Sequence, residues 1–393
     1  MTMLAGIRVL DLSLQLPGPF CTMMMADHGS DVIKVDEPEP RVRNPFAGEE
    51  PGLSPADRYL NRGKRSLTLN LKTGEGREIF RKLAATADVV IEGFRPGVAS
   101  RIGVDYATLS ALNPGLVYCS ISGYGQDGPM RNVAGHDINY ISYAGVLGLC
   151  GPRDSAPTLP PVQIGDLFGG AMMALSGILM ALHARQSTGT GRWLDLSMTD
   201  GAMAMLSIHA ASFLAGGEPP ERGEMILTGK FPCYETYRCA DGNYVSAGPL
   251  EGWFWERMLK ALGREDLLGS QYPDGEEAGR VRGELGKVFS TKSRDEWVAF
   301  FRDHDVCLSP VLSLPEALSH PNAKARRMVI EVESPLGGKD RQLGLPVKVV
   351  GEEEGRPGRP PRLGEHDDEI LAGLGYTDAQ VAGLRAKGVI RGS

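Results

Sequence analysis

Through its first third the chain repeats one pattern, a short run of branched apolar residues, a breaker, then a stretch with apolar residues on a helical period. Ile7-Arg8-Val9-Leu10-Asp11-Leu12 has the composition of a strand, Pro17-Gly18-Pro19 interrupts it, residues 20–28 fit a helix closed by Gly29, and Asp31-Val32-Ile33-Lys34-Val35 is a second strand. Residues 66–71, 75–87, 88–91, 105–112 and 116–121 continue the alternation. Strands joined by crossovers of helical length pair in parallel, and a parallel sheet is covered on both faces. The predicted fold class is therefore α/β, with ligands bound beyond the carboxyl ends of the strands.

The alternation ends before the chain does. Residues 167–185 form a long apolar run carrying Gly169, Gly170 and Gly177, which predicts a tightly packed helix; a turn over 187–191 leads to a strand over 192–196 and a second long helix over about 199–214. Gly216-Gly217-Glu218-Pro219-Pro220 reads as a linker. Beyond it, residues 234–239 and 244–247 flank Asp241-Gly242 as a hairpin, which opens a smaller α+β domain. Residues 337–361 are rich in Gly and Pro, and residues 367–387 end the chain in short helices. A length of 393 residues favours two domains over one, each able to bury a core.

Several function classes lose support at once. A net charge of −7 argues against a nucleic-acid binder. No apolar run of 18 residues is evident, so no membrane association is expected, and Met1-Thr2-Met3-Leu4-Ala5-Gly6 enters a strand without a basic export segment, so the expected location is the cytoplasm. Cys21, Cys119, Cys150, Cys233, Cys239 and Cys307 are widely spaced, which favours small buried thiols over disulfides or a metal knuckle. The histidines do not pair with cysteine or carboxylate at metal-ligand spacing, and no metal site is expected. The chain also lacks the glycine fingerprints of dinucleotide and nucleoside-triphosphate sites and the nucleophile elbow of serine hydrolases.

The chemistry concentrates at two predicted helix starts. Gly135-His136-Asp137 opens one helix and Gly165-Asp166 another, placing two proton-transfer side chains near the positive, donor-rich ends of helices. A carbon acid held between them could lose and regain a proton while its enolate oxygen meets backbone N–H groups. Each residue also has a plainer reading. Asp166 could be the N-cap of the helix that follows, His136 a hydrogen-bonded helix-start residue with Asp137 as the true cap, and Glu251 a carboxylate favoured by the dipole of the helix behind it.

The opening Leu4-Ala5-Gly6-Ile7-Arg8-Val9-Leu10-Asp11, the block Asn61-Arg62-Gly63-Lys64-Arg65-Ser66, the run Ile91-Glu92-Gly93-Phe94-Arg95-Pro96-Gly97 and Ser122-Gly123-Tyr124-Gly125 resemble the class III coenzyme A transferases of the CaiB/BaiF type. Within that superfamily, Gly135-His136-Asp137-Ile138-Asn139-Tyr140, Asp166 and Glu251 in Gly248-Pro249-Leu250-Glu251 resemble the α-methylacyl-CoA racemase branch. The resemblance implies a Rossmann-like large domain from residues 1–200 and 335–393, a linker helix over 201–224, a small α+β domain over 225–334, and two chains interlocked as a homodimer. It also implies an acyl-CoA substrate, with coenzyme A part of that substrate and no separate cofactor.

On that reading His136, Asp166 and Glu251 are the catalytic candidates. Epimerising the α-carbon needs an acid/base group on each face; His136 suits one because the positive end of a helix favours neutral imidazole. Asp166 suits the other if burial or a neighbouring carboxylate keeps it partly protonated, and Glu251 is a candidate to raise its pKa or to orient His136. Arg62, Lys64, Arg65, Arg95 and Asp137 are the coenzyme A-binding candidates, with Lys34 and Arg41 weaker ones. Met172, Met173, Met198, Met203 and Met205 offer either an adaptable acyl wall or plain core packing. The runner-up is a transferase in which Asp166 is the covalent nucleophile, and outside catalysis an acyl-CoA-binding protein with a degenerate site.

Overall fold

The computed structural model describes residues 3–39, 52–351, 355 and 357–392. The chain divides into two compact units, one from residues 1–144, 160–205 and 322–393 and the other from residues 145–159 and 206–321. The boundaries differ from those expected, since residues 145–159 go to the smaller unit and residues 322–334 to the larger.

The larger unit is built on six parallel strands, β1 (Arg8–Asp11), β2 (Asp31–Asp36), β3 (Arg65–Thr68), β4 (Val89–Glu92), β5 (Val117–Ser122) and β6 (Trp193–Ser197), in the order β3-β2-β1-β4-β5-β6. The α/β class read from the alternation is thus met. Successive side chains of a strand face opposite ways, and the cores follow that rule. Leu10, Ile33, Leu67, Val90 and Tyr118 pack with Ile79, Phe80, Leu83, Ile370, Leu371, Val381 and Leu384 on one face, whereas Val9, Val32, Val89, Val117 and Cys119 pack with Cys21, Met25, Ala174, Ile178 and Leu182 on the other. The C-terminal helices Asp367–Gly373 and Asp378–Ala386 therefore complete the core begun by the first strand. The order reverses between β1 and β4, the kind of switch point beside which α/β sheets bind ligands.

Three local elements depart from expectation. The first helix begins at Pro17 rather than Phe20, because a proline in the first turn lacks only an N–H that would be unpaired anyway. The long helix expected over 199–214 is two helices, Met198–Ala204 and Ser207–Leu214, with Ser207 at φ 25° and the unit boundary between Met205 and Leu206. Where the Gly/Pro-rich region begins, Val329–Glu333 and Lys339–Leu343 form an antiparallel hairpin that the composition did not announce. Arg41 lies outside the described residues.

The helix expected over 167–185 runs from Ile164 to Thr188 and is long and apolar enough to cross a bilayer, with mean hydropathy 1.7, contrary to the reading that no such run existed. Scattered small and polar residues, Gly169, Gly170, Ser176 and Gly177 among them, hid it from a search for unbroken apolarity. Ala171, Ala174, Ile178, Ala181 and Leu182 of this helix are buried in the core, while Leu179 and Met180 are exposed.

The smaller unit carries a three-stranded antiparallel sheet, Glu235–Arg238, Tyr244–Ala247 and Leu308–Pro310, the first two being the expected hairpin. Its core is aromatic, with Trp255, Phe289, Trp297 and Phe301 packed around Val245, Met258 and Leu285.

Candidate active site

His136 occupies the N-cap position of the helix Asp137–Tyr143, with extended backbone, and its N–H donates to Asn139 Oδ1 at 3.0 Å. Its imidazole is exposed. Asp166 sits in the first turn of the long helix, whose first nine residues, Ile164–Met172, are wound as a π-helix before Met173–Thr188 continues as α. A π segment carries one extra residue per turn, and such segments occur frequently at functional sites. Here close helix contacts accompany it. A Cβ on Gly169 would lie 2.4 Å from the Met198 carbonyl oxygen, and one on Gly201 would lie 2.5 Å from Gly169 Cα, so only glycine permits this crossing with the helix Met198–Ala204.

Asp137 joins the two helix starts. Its Oδ1 accepts from the Asp166 N–H at 2.9 Å, and it also accepts from the Gly165 N–H. Asp137, one of the coenzyme A-binding candidates, thus has its half-buried carboxylate engaged by backbone N–H groups of the protein. Burial, and secondarily the Asp137 carboxylate, push the Asp166 carboxyl up to about 6. The neighbouring carboxylate that acts on Asp166 is thus Asp137, where Glu251 was a candidate either for that part or for orienting His136. Asp137→Asn keeps an oxygen acceptor but removes the charge, so it is expected to lower the Asp166 pKa while leaving it above the ordinary carboxylate value, burial being the larger cause. The midpoint of the Asp166 carboxyl carbon resonance reads this directly, and an unchanged or higher midpoint contradicts it.

Tyr140 was not among the expected site residues. Its ring packs so closely on Gly123 and Gly135 that a Cβ at either would fall 2.4 and 2.7 Å from the ring, and its hydroxyl donates to Gly135 O at 2.5 Å. Burial first, then the Asp166 carboxylate, push its phenol up to about 12, which keeps it a proton donor. Both glycines precede Tyr140 in the chain, and their meeting with its ring is a tertiary fact.

A cleft of about 480 Å³ opens beside these residues in the larger unit. It is lined by the loop after β4, the end of β5, and His136 with its flanks, Arg95, Tyr124, Arg131 and Tyr140 among them. Arg95 and Arg131 are exposed, and neither guanidinium has a hydrogen bond or ion pair among the described residues. Arg95, a coenzyme A-binding candidate, thus has a guanidinium open to an anion, and so does Arg131. Of the methionines, Met198 lines the cleft while contributing to the core; Met203 and Met205 are exposed and Met172 and Met173 half-buried.

The other basic candidates are corrected by their partners. Arg62 is fully buried, its Nη2 2.6 Å from Asp27 Oδ2, its Nε 3.0 Å from Asp27 Oδ1, and its Nη1 donating to Leu343 O at 2.6 Å. Lys64, equally enclosed, donates to Asp11 Oδ2 and Pro19 O at 3.1 Å and to Asn61 Oδ1 at 3.2 Å, and burial brings its ammonium down to about 8. Arg65 pairs with Asp31 at 2.7 Å, and Lys34 donates to Ser13 O at 2.5 Å beside Asp36. Arg62 and Lys64 neutralise Asp27 and Asp11 inside the fold, so in this structure they hold the protein together instead of facing a phosphate, and the partly exposed Arg65 is paired with Asp31. Glu251 belongs to the smaller unit, where it is exposed at the N-cap of the helix Gly252–Leu262 without a side-chain capping bond.

One further carboxylate escaped notice. Glu92, the last residue of β4, is buried, and burial pushes its carboxyl up to about 7 against the opposing bonds from Ser120 and the Phe94 N–H.

An α/β sheet with a histidine and a raised-pKa aspartate at two joined helix starts, beside a cleft bearing guanidinium groups unpaired among the described residues, has the makings of an enzyme site for an anionic substrate. Residues 4–367 match CoA-transferase family III, and the chain belongs to that family. The α-methylacyl-CoA racemase of Homo sapiens is 35% identical to it, over 98% of this chain and 97% of the relative. The succinyl-CoA:mesaconate CoA-transferase of Haloarcula marismortui is also 35% identical, over 94% and 95%. The crystal structure of a CAIB/BAIF family protein from Brucella suis superposes with TM-score 0.81 at 31% identity, over 95% of this chain and 99% of that one. The motifs thus led to the right enzyme superfamily, while equal identity to a racemase and a transferase does not separate the two reactions.

Proposed function

We propose that the protein is a racemase that interconverts the (2R) and (2S) forms of 2-methylacyl-CoA thioesters by proton transfer through an enolate. The observation that carries this reading is the joining of His136 and Asp166 through Asp137 at two helix starts, with the Asp166 carboxyl raised to about 6. One residue removes the α-proton from its face of the substrate and the other delivers a proton to the opposite face; the reverse reaction exchanges the roles. The active form in both directions holds one proton on the pair, so activity falls on the acid side when the pair takes a second. Asp166 raised toward neutrality serves as an acid in one direction and a base in the other, whereas an ordinary carboxylate would rarely hold the proton it must give.

Arg95 supplies the anchor for a coenzyme A phosphate, and the thioester oxygen of the enolate is stabilised by N–H groups preorganised at a helix start. Glu251 is the third member, as the family motif implies. The proposal includes a cytoplasmic homodimer, and no cofactor beyond the coenzyme A that the substrate carries.

Incubation of one 2-methylacyl-CoA diastereomer in deuterated water, with no free acid present, is expected to give both diastereomers with deuterium at the α-carbon. A transferase would instead make Asp166 covalent, first as a mixed anhydride and then as a thioester. Hydroxylamine added during turnover is therefore expected to leave the protein's mass and activity unchanged. An adduct trapped on Asp166, or coenzyme A exchange that depends on an added carboxylic acid, overturns the racemase in favour of the transferase.

A further inference from the structure

We propose that Glu92 is a positioning residue that holds the Gly93-Phe94-Arg95 loop so that Arg95 meets a coenzyme A phosphate. The inference rests on the acyl-CoA reading of the cleft and adds a residue that the proton-transfer steps do not use.

Glu92 ends β4, and the parallel register sets it beside Ser120 of β5, which in turn lies beside Asp195 of β6. The three face the side of the sheet that holds Val90 and Tyr118, so a polar row starts at the carboxyl end of β4 and continues across β5 and β6, next to an apolar core. Glu92 is 3% exposed and Ser120 1%. The hydrogen bonds have one consistent direction. Trp193 Nε1–H donates to Ser120 Oγ at 3.0 Å, which leaves the single Ser120 proton to be donated to Glu92. Glu92 Oε2 accepts from the Phe94 N–H at 2.6 Å. The next carboxylate in the row acts likewise, as Asp195 accepts from the Gln126 N–H at 3.1 and 3.0 Å.

Each carboxylate thus grips the backbone of one loop. The first carries Arg95 into the cleft, and the second follows Tyr124, which lines the same cleft. A buried carboxylate is costly, and an apolar residue continuing Val89-Val90-Ile91 would fill the space more cheaply. What an apolar residue cannot supply is an acceptor two residues before Phe94. Without it the Phe94 N–H is left unpaired, the turn loses its tether, and the guanidinium on the next residue loses its fixed position.

Calorimetry with coenzyme A on the full-length protein tests this, using Glu92→Ala, Glu92→Gln and Ser120→Ala. Glu92→Ala is expected to weaken coenzyme A binding about tenfold and to raise KM by a like factor with kcat within about twofold, as the loss of one charge-assisted hydrogen bond implies. Glu92→Gln retains a carbonyl acceptor and is expected to restore most of the affinity. Wild-type affinity in a folded Glu92→Ala protein, a fall in kcat alone, or equal losses in Glu92→Ala and Glu92→Gln each overturn the inference. If Glu92→Ala does not fold, Ser120→Ala decides, with weaker binding expected and unchanged binding refuting. Wild-type protein that fails to bind coenzyme A refutes the acyl-CoA reading itself, a result distinct from all of these.

Discussion

Asp166→Ala and His136→Ala are each expected to lower racemisation on the order of 10²-fold or more, the loss that accompanies removal of a general acid or base. The two variants should fail alike in both reaction directions, because each direction needs a proton removed on one face and supplied on the other. They should differ from wild type in kind as well as amount. A variant that retains one proton carrier can still exchange the α-hydrogen on that face and return it there, so deuterium enters with retained configuration while inversion is lost. Chiral analysis and mass spectrometry of the recovered thioester separate the two outcomes, with far-ultraviolet circular dichroism as the check on folding. Asp166 lies where alanine is tolerable locally, half-buried in the first turn of its helix with only its backbone N–H held by Asp137. Wild-type racemisation in folded Asp166→Ala removes the residue from the chemistry.

Arg62→Ala and Arg95→Ala should separate stability from binding. Arg62 is enclosed and its guanidinium is the counter-ion of Asp27, whose carboxyl burial raises even against the pull of Arg62. Removing the cation leaves a buried carboxylate without its partner, a loss of about 3–5 kcal/mol. Urea unfolding of Arg62→Ala is expected to show that loss as a lowered midpoint. Arg95→Ala, at an exposed position with no side-chain partner among the described residues, is expected to unfold like wild type and to show a raised KM for the thioester with turnover less affected, since a distant phosphate is bound similarly in the ground and transition states. An Arg62→Ala protein of unchanged stability but weakened coenzyme A affinity would return Arg62 to the binding site.

Why Arg62 and Arg95 were indistinguishable before the fold was known is a matter of chain separation. Both are arginines beside a glycine or proline near a strand end. What divides them is Asp27, 35 residues away from Arg62, and the carbonyl of Leu343, 281 residues away, which together occupy its donors. Lys64 and Asp11 repeat the case at a separation of 53 residues. Local sequence records the charge of such a residue but not its neutralisation, because burial and pairing are set by crossings between distant segments.

Local pattern was sufficient where the physics is local. The alternation of strand and helix determined the parallel sheet, since period-2 and helical apolar runs can each be buried in only one way. The helix starts at His136 and Asp166 were legible because such a start marks itself by its flanking glycine and cap residues. Tertiary structure alone decided that Asp137 links those two helix starts, that Gly169 and Gly201 let the Asp166 helix pack against its neighbour, and that Glu92, Ser120 and Asp195 form one row. These depend on which backbone approaches which. That is fixed by the packing of whole elements, and no window of neighbouring residues contains it.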